Sequence, residues 1–205
     1  MADKFVIASN NAHKIHEFKR ILSTLGVEVL SAKEAGVDFS NVEETGETFA
    51  ENARIKALYA FKECGLPSIA DDSGLCVDAL NGRPGIYSAR YGGENSTDDE
   101  KIKLLLSELS NVELKDRTAH FICSICCVIS ENDIVTVEGK CQGFIGNQKK
   151  GKNGFGYDPV FYLDNGKSFA ELDSAEKDLF SHRGNALRNF YTLLKERKDL
   201  YNVNQ

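Results

Sequence analysis

The N-terminal part of the chain alternates short apolar runs with segments of helical periodicity. Residues Lys4–Ser9 are an apolar run that ends in polar side chains. From about Ala12 to Leu25, apolar residues recur at spacings that place them on one helical face, namely Ile15, Phe18, Ile21, Leu22 and Leu25. The pattern predicts a strand, a polar turn and an amphipathic helix.

The same alternation continues into the next segment. It predicts a second strand at Val27–Leu30 and a loop at Ala35–Glu47, which is rich in Asp, Asn and Glu. A helix is then predicted to extend to about Cys64. Either Thr45 or Thr48 is the expected N-cap of this helix, because a threonine hydroxyl accepts a hydrogen bond from a free N–H group of the first turn.

Two short strands and a capped helix are predicted in the middle of the chain. The strands are Ser68–Ala70 and Cys76–Leu80, separated by the polar sequence Asp71–Gly74. The helix is Thr97–Leu109, which begins with a capping box formed by Thr97 and Glu100.

The C-terminal part predicts a hairpin followed by helices. Two long β-branched segments, Arg117–Ile129 and Ile134–Ile145, are separated by a short polar turn. A strand at Pro159–Tyr162 and helices at Leu172–Phe180 and Gly184–Glu196 follow. Strands interleaved with helices early in the chain and a hairpin late in it predict an α/β fold with a mixed sheet. No repeat or linker interrupts the pattern, so we expect a single domain over residues 1–205.

Composition and charge exclude several classes of protein. Among the 205 residues, 25 are Lys or Arg and 31 are Asp or Glu, which gives a net charge of −6. This balance argues against sequence-independent binding of nucleic acid. No apolar stretch approaches the ~20 residues of a membrane helix. Polar Asn10, Asn11 and His13 follow the first apolar run too soon for a signal peptide, so we expect a cytoplasmic protein.

The cysteines predict neither a disulfide framework nor a metal site. Three of the six lie within Phe121–Ile129, at positions 123, 126 and 127, in a segment that has the pattern of a buried strand. Free cysteine behaves as a small apolar residue in such a strand. A zinc site is disfavoured because no second C-x-x-C or H-x-x-x-H sequence follows.

Two segments are candidates for phosphate binding. Gly146–Lys152 matches G-x-x-x-x-G-K, but Asn153 replaces the Ser or Thr that binds Mg²⁺ in a P-loop, so the segment is interpreted as a hairpin end with solvated lysines. Ser9–Lys14 lies at a strand-to-helix junction, where backbone N–H groups favour an anion and Lys14 adds a positive charge. An Asn N-cap before an ordinary surface lysine explains this second segment equally well.

Two acidic pairs are candidates for metal binding. Glu43 and Glu44 lie in a predicted loop, and Asp71 and Asp72 follow a predicted strand. Mg²⁺ binds a few carboxylate oxygens together with waters and substrate phosphates, so an acidic protein could hold a polyphosphate in this way. In an extended segment Asp71 and Asp72 point to opposite faces and need not share a role. The alternative for this pair is an Asx turn before Ser73.

Two further clusters are unusual. In Gly154–Pro159, the aromatic residues Phe155 and Tyr157 alternate with glycines, so that a flat base could stack there. In Ser181–Gly184, Ser181 is a candidate N-cap and Arg183 offers several hydrogen-bond donors in one plane.

Seven ordered motifs extend over the chain from about Phe5 to Leu194. They are Ser9-Asn10-Asn11 with Lys14, Glu43-Glu44-Thr45-Gly46, Glu51-Asn52-Ala53 with Lys56-Ala57, Ala70-Asp71-Asp72-Ser73-Gly74-Leu75, Pro84-Gly85-Ile86-Tyr87-Ser88-Ala89-Arg90-Tyr91, Gly154-Phe155-Gly156-Tyr157-Asp158-Pro159 and Ser181-His182-Arg183-Gly184. In this combination and order they resemble the noncanonical purine nucleoside triphosphate pyrophosphatases, the Ham1-like inosine/xanthosine triphosphate diphosphatases.

The resemblance implies both a fold and a reaction. The fold is a two-lobed α/β structure around a long mixed sheet flanked by helices, usually homodimeric, with the nucleotide in the cleft between the lobes. The reaction is the Mg²⁺-dependent hydrolysis of ITP, dITP and XTP to the nucleoside monophosphate and pyrophosphate. It removes deaminated purines from the nucleotide pool before they enter DNA or RNA.

The resemblance also implies roles for individual residues. Asp72 is the expected general base and, with Glu43, the expected metal ligand, while Glu44 and Asp71 are additional candidate ligands. The phosphates would be held by Ser9, Asn10, Asn11, Ala12, His13, Lys14 and Lys56. The rest of the substrate site would comprise Ser73, Phe155, Gly156, Tyr157, Asp158, Lys177, His182 and Arg183.

Hydrogen bonding predicts how the base is chosen. Hypoxanthine and xanthine present a 6-oxo acceptor where adenine presents an amino donor, so a donor-only side chain such as Arg183 suits the former.

The first motif departs from a common bacterial form, Thr-Gly-Asn. Ser9 preserves the hydroxyl, but Asn10 lacks the freedom of glycine at positive φ.

Two alternative functions are compatible with parts of this sequence. A nucleotide-binding or metal-binding module without catalysis would need no carboxylate beside the attacking water, so Asp72 discriminates against it. A Maf-like pyrophosphatase acting on other nucleotides would share the fold and the metal but lack the His182-Arg183 pair, whose presence disfavours it.

Overall fold

The computed structural model of the chain describes residues 4–39 and 42–203. Over these residues the chain forms six strands and five α-helices, connected by loops and single 3-10 turns. In chain order they are β1 Lys4–Ile7, α1 Ala12–Thr24, β2 Glu28–Ser31, α2 Phe49–Cys64, β3 Ser68–Val77, α3 Asp98–Glu108, β4 Thr118–Ser130, β5 Asp133–Ile145, β6 Phe161–Tyr162, α4 Ser174–Phe180 and α5 His182–Val203.

The strands form one mixed sheet, as predicted. Their order is β2-β1-β3-β4-β5-β6. Strand β1 is parallel to both β2 and β3, with Val6 opposite Leu30 on one side and Ser68 on the other. Strands β5 and β6 are antiparallel. Strands β4 and β5 are neighbours connected by residues 131–132 alone, which confirms the predicted hairpin.

One strand prediction is wrong. The two short strands expected on either side of Asp71–Gly74 are joined in a single ten-residue strand, β3, so the alternative of an Asx turn at this point is also wrong. The strand ends at Val77, and Asp78–Leu80, predicted as the end of the second strand, form a 3-10 turn instead. The polar sequence can continue through the strand because Asp71 and Asp72 are buried beside cationic partners, Lys14 and Lys56. Compensated carboxylates need no exit to solvent.

The boundaries of α2 are fixed by its end residues. Of the two candidate caps, Thr48 is the N-cap: its hydroxyl accepts a hydrogen bond from Glu51 N, and the Glu51 carboxylate accepts one from Thr48 N. This reciprocal capping box satisfies two N–H groups that the helix itself leaves free. Gly65 ends the helix in the left-handed conformation, with φ of 66°.

Contacts divide the chain into two compact units, each assembled from separate segments. The first unit comprises the described residues of Met1–Asp72, Cys123–Gly139 and Arg183–Gln205, and the second comprises Ser73–Ile122 and Lys140–His182. Strands β3, β4 and β5 contribute residues to both units. The single domain over residues 1–205 stays a prediction.

The first unit has two clusters of buried apolar side chains. One combines aromatic and aliphatic residues of α1, α5 and the strands, including Phe18, Phe190 and Ile125. The other is built on α2, where Ala53, Ala57 and Ala60 share a face because they are three or four residues apart. These small side chains allow α2 to pack closely in the core. The packing fixes the positions of the polar side chains that lie next to them on the helix.

The second unit has its own core. It includes leucines of α3 and a group of phenylalanines. The ring of Phe121 lies 4.7 Å from that of Phe161 and stacks on that of Phe169 at 5.8 Å, centroid to centroid.

The prediction of a buried strand with free cysteines at Phe121–Ile129 is confirmed. Cys123, Cys126 and Cys127 are buried free thiols of β4. Burial raises the pKa of Cys123 and Cys127 well above the ordinary thiol value, as expected for inert core residues. Among the described residues, none of the helices combines the length and the hydropathy that a membrane span needs.

Candidate active site

Two neighbouring carboxylates of β3 have different partners. Asp71 and Asp72 are both buried, with 2% and 6% of their surface exposed. Lys14 Nζ lies 3.1 Å from Asp71 Oδ2, whereas Lys56 Nζ lies 3.7 Å from Asp72 Oδ1. This follows the prediction that consecutive strand residues point to opposite faces.

Asp71 is held as an anion by two cations. Its Oδ2 accepts hydrogen bonds from Arg183 Nε at 3.3 Å and Arg183 Nη2 at 2.8 Å, in addition to the Lys14 contact. Burial by itself would raise the pKa of Asp71, but the charges of Lys14, Arg183 and Lys56 outweigh burial and hold it well below the ordinary value. Asp71 is therefore ionised at neutral pH.

Arg183 is a buried residue, with 1% of its surface exposed. Besides Asp71, its guanidinium pairs with the carboxylate of Glu17, which is itself buried in α1. Arg183 is therefore not an ordinary surface arginine. Its predicted donation to the 6-oxo group of a base stays a prediction.

The surroundings of Asp72 shift its pKa in the opposite direction from that of Asp71. Burial raises its pKa above the ordinary value, and the nearby charges of Lys56 and Lys14 do not fully offset this effect. Lys56 also pairs with Glu44, at 2.6 Å from Oε1. Burial would lower the pKa of Lys56, but the charges of Asp72 and Glu44 outweigh it and raise the pKa. Asp72 is thus the member of the pair that is better suited to accept a proton.

The junction of β1 and α1 has the geometry of a capped helix start. Asn11 is the N-cap: its Oδ1 accepts hydrogen bonds from His13 N at 3.0 Å and Lys14 N at 3.1 Å, and Asn11 N donates to Ser9 Oγ. Asn10, Asn11 and His13 are exposed. Lys14, by contrast, is not the ordinary surface lysine of the alternative interpretation, because it pairs with buried Asp71.

Asn10, which stands where the common bacterial form of the motif has glycine, needs no unusual backbone conformation. Within residues 4–39 and 42–203, Asn81 is the one residue other than glycine with a positive φ. The Ser-Asn-Asn form of the first motif is therefore accommodated in an ordinary backbone conformation.

The acidic residues suit a hard divalent cation that is only partly coordinated by protein. Across the described residues, no group of three or more His, Cys, Asp or Glu side chains is arranged to hold a metal. Glu44 is linked to Asp72 through Lys56, Glu43 is exposed, and the buried Oδ1 of Asp71 accepts no hydrogen bond. These donors are all carboxylate oxygens. They fit Mg²⁺, which typically takes one or two carboxylates plus substrate phosphates and waters.

In the second unit, a buried ion pair lies beside a half-buried aromatic ring. Lys177 Nζ lies 2.7 Å from Asp158 Oδ2, and 4.9 Å from the centroid of the Phe155 ring. Asp158 also accepts a hydrogen bond from Phe155 N at 2.9 Å. A Cβ at Gly154 would lie 2.0 Å from the Asp158 carboxylate, so this turn requires glycine. The arrangement fixes the Phe155 ring over the ammonium group.

The prediction that both Phe155 and Tyr157 can stack on a base is wrong for Tyr157. Tyr157 is buried in the core of the second unit, and its hydroxyl donates to Ser88 O at 3.0 Å. Its ring is therefore not available to stack on a base, and Phe155 alone keeps that role as a prediction. Gly156 N donates to Asp98 Oδ2 at 2.7 Å.

The remaining predicted residues lie at the ends of elements or within β3. The His182 ring is buried and stacks on Phe121, with centroids 4.7 Å apart and planes 13° apart. Ser181 is the C-cap of α4 and directly precedes α5. Ser73 follows Asp72 in β3 and is half-buried.

Two buried polar residues next to the carboxylates were not singled out as site residues from the sequence. Glu17 pairs with Arg183, and Asn52 hydrogen-bonds Asp72. Both carry a signal in the helical pattern. Glu17 lies four residues before Ile21 of the predicted apolar face of α1, and Asn52 lies four residues before Lys56, on the same face of α2.

The lysine-containing segment Gly146–Lys152 is not a P-loop, as predicted. Lys149 pairs with Asp99 at 2.6 Å, and Lys150 lies over the Tyr162 ring at 5.4 Å. The segment continues into turns rather than a helix. It therefore lacks the helix N-terminus that binds phosphate in that motif.

Comparison with known proteins gives matches along almost the whole chain. A sequence model of the Ham1 family matches residues 5–193. The dITP/XTP pyrophosphatase of Geobacillus kaustophilus is 49% identical over 185 residues, which cover 90% of either chain. That of Bacillus licheniformis is 47% identical over 192 residues, covering 93% of this chain and 97% of its own. The solved Ham1 protein of Coxiella burnetii is 44% identical, with a TM-score of 0.85 over 94% of this chain and 98% of its own.

Proposed function

The chain belongs to the Ham1 family, and we propose that it hydrolyses noncanonical purine nucleoside triphosphates, namely dITP, ITP and XTP, to the nucleoside monophosphate and pyrophosphate. This activity would remove deaminated purines from the nucleotide pool before polymerases incorporate them into DNA or RNA. Support comes from dITP/XTP pyrophosphatases that share nearly half of their residues with this chain at high coverage.

The observation that carries the proposal is the contrast between Asp71 and Asp72. Adjacent carboxylates whose surroundings move their pKa values in opposite directions are typical of an acid-base site. We assign to Asp72 the role of general base, which accepts a proton from the attacking water. Asp71, which stays ionised, would hold Lys14 and Arg183 in place.

The triphosphate would be bound by groups of the first unit. The residues from Ser9 to Lys14 offer a capped helix start with Lys14, and Lys56 offers a second cation. Hydrolysis needs a positioned water and stabilisation of the negative charge that develops on the phosphate oxygens. Lys14 and Lys56 would supply part of that stabilisation.

Mg²⁺ is the proposed cofactor. Glu43 and Asp72 are the proposed ligands, with Glu44 and Asp71 as additional candidates. When bound, the ion would neutralise triphosphate charge and strengthen the electrophilic character of the attacked phosphorus. The chain itself would contribute the carboxylates that hold the ion and the base that takes the proton.

Base recognition is assigned to residues outside the carboxylate pair. Phe155, Gly156, Asp158, Lys177, His182 and Arg183 are proposed to line the substrate site, together with Ser73. The Phe155 ring, fixed over Lys177, is suited to stack on a purine. Arg183, which only donates hydrogen bonds, would favour a 6-oxo purine over adenine.

The proposed function is tested by resolving the products of hydrolysis. The protein is incubated with Mg²⁺ and dITP, ITP, XTP, ATP or GTP, and pyrophosphate is separated from orthophosphate by anion exchange. We expect pyrophosphate and the monophosphate from the inosine and xanthosine nucleotides. Release of orthophosphate, or binding without turnover, would contradict the proposal, and the second outcome would favour a non-catalytic binding module.

We further propose that the protein is a cytoplasmic homodimer. The nucleotide pool on which it would act supports the location, and the family resemblance supports the assembly. Sedimentation equilibrium at micromolar concentration measures the mass directly, and a mass equal to one chain would contradict the dimer.

A further inference from the structure

Asn52 links Asp72 to the acidic loop that precedes α2. Its side chain is completely buried in the first turns of the helix, at 0% exposure. Its Nδ2 donates to Asp72 Oδ2 at 3.2 Å, and its Oδ1 accepts from Gly46 N at 2.8 Å. One planar amide therefore connects a residue of β3 with the loop that carries Glu43 and Glu44.

The orientation of this amide is determined by its partners. A backbone N–H group can only donate, so the Asn52 atom that faces Gly46 must be the carbonyl oxygen. The amino group is then left to face Asp72, where a carboxylate oxygen accepts its hydrogen bond. The two contacts are mutually consistent in this orientation, and reversing the amide would break both.

The loop lies tightly against α2 at the same point. A Cβ at Gly46 would lie 2.6 Å from Glu51 Cβ and 2.8 Å from Asn52 Oδ1, well inside ordinary contact distance. The absence of a side chain at Gly46 thus allows its N–H group to reach Asn52. Because the helix fixes Asn52, the helix also fixes the position of the loop relative to Asp72.

We propose that Asn52 is a positioning residue that sets the rotation of the Asp72 carboxylate. The inference rests on the proposed catalytic and metal-binding role of Asp72. Asn52 holds Oδ2 from one side, and Lys56 Nζ lies 3.7 Å from Oδ1 on the other. Side chains that hydrogen-bond a ligating carboxylate fix its orientation, and their loss typically reduces metal affinity or activity about 10- to 100-fold.

A purely structural role makes a different prediction. A buried amide that only satisfies its neighbours would, when removed, lower stability without changing turnover by the molecules that remain folded. The two roles are therefore separated by measuring turnover, cation binding and thermal stability on the same variants.

The test uses Asn52→Ala and Asn52→Leu, with Ala60→Gly as the matched control. Leucine has the same number of side-chain heavy atoms and the same branching as asparagine, although it is bulkier, and it makes neither hydrogen bond. Ala60 is buried in the same helix, and glycine there lowers helix stability by about 1 kcal/mol relative to alanine without contacting Asp72. Each variant is assayed for kcat and KM with dITP, for Mn²⁺ affinity by electron paramagnetic resonance without nucleotide, and for its Tm.

We expect both Asn52 variants to lose about 10- to 100-fold in kcat and in Mn²⁺ affinity, with a smaller change in KM, while Ala60→Gly lowers only the Tm. The proposal is overturned if folded Asn52→Leu keeps both quantities within about twofold of the wild type, or if Ala60→Gly loses them equally. Asp72→Asn, measured in parallel, separates failure of the role proposed for Asp72 from failure of the positioning role proposed for Asn52. If it remains active, the role proposed for Asp72 fails; if it is inactive while Asn52→Leu is fully active, only the positioning role fails.

Discussion

Lys14 and Asp71 form an ion pair across 3.1 Å, between the first turn of α1 and the middle of β3. The Asp71 side chain is 1% exposed and the Lys14 side chain 15%. The pair joins the helix that would bind phosphate to the strand that carries the carboxylates. The charge of Lys14 is thus partly compensated inside the protein, and Asp71 depends on Lys14 and Arg183 to remain an anion.

This dependence predicts how acid affects stability. Because the pKa of Asp71 is lower in the folded protein than its ordinary value of 3.8, Asp71 stabilises the fold above pH 4 and loses this contribution as the pH falls through the lower folded value. Asp71→Asn should lower the free energy of unfolding at pH 7 by roughly 3–5 kcal/mol, since it leaves buried cations without their partner.

The measurement is urea denaturation of wild type and Asp71→Asn between pH 7 and pH 3. The difference between the two proteins should be constant from pH 7 to about pH 5 and shrink below pH 4. A difference that stays constant down to pH 3 would show that Asp71 contributes no pH-dependent stability.

Asp72→Asn should abolish most turnover and leave the fold intact. The substitution retains the shape of the side chain, including an acceptor for Asn52, but removes the base and the anionic ligand. Loss of a general base typically costs at least ~10²-fold in rate. Steady-state kcat with dITP, together with the Tm, gives the answer, and near-normal kcat in the folded variant would exclude Asp72 as the base.

Removal of divalent cations should stop catalysis without unfolding the protein. The described residues contain no group of three or more His, Cys, Asp or Glu side chains arranged to hold a metal ion, and we expect the fold to persist when the ion is removed. Circular dichroism and activity are recorded with and without EDTA, and activity is restored with Mg²⁺. Melting of the protein on chelation would instead indicate a metal that stabilises the fold.

Arg183 should contribute to the choice of base. If its guanidinium donates to the 6-oxo group, Arg183→Ala will narrow the ratio of kcat/KM between ITP and ATP, chiefly by harming ITP. Because Arg183 also pairs with Asp71 and Glu17, the variant will be less stable, and assays must be run well below its Tm.

Arg188→Ala is the matched control for this prediction. Arg188 is an arginine of the same helix, half-buried, and its Nη2 donates to Asn185 at 2.6 Å. It should leave the ITP-to-ATP ratio unchanged. An unchanged ratio in Arg183→Ala as well would remove Arg183 from base recognition and leave it as a partner of Asp71.

Local patterns were sufficient to predict most of the fold. Helix ends followed from caps such as Thr48 and Thr97, and the β4–β5 hairpin followed from two β-branched segments around a polar turn. Continuity of β3 could not be predicted in the same way. It depends on Lys14 and Lys56, which are distant in sequence and compensate the two carboxylates.

The sequence indicates candidate site residues but not how they pair. The motifs predict roles for Asp71, Asp72 and Arg183. Nothing in the sequence, however, indicates that Arg183 binds Asp71, which is more than a hundred residues away along the chain. Glu17 and Asn52 were not named as site residues because a polar residue in a helix is usually interpreted as solvent-exposed. The helical spacing indicates the face on which each of them lies, but their burial is explained only by partners that are distant in sequence, Arg183 and Asp72.

Competition between nucleotides tests the central claim most directly. Equimolar dITP and dATP are mixed with Mg²⁺ and the wild-type protein, and the appearance of dIMP and dAMP is followed in the same tube. Their initial rates give the ratio of the two kcat/KM values. We predict that dIMP and pyrophosphate form first and that dITP is preferred by ~10⁴-fold or more, as in sites built around buried hydrogen bonds. Equal rates of dIMP and dAMP formation would contradict the assignment of this chain as an enzyme for noncanonical purine triphosphates.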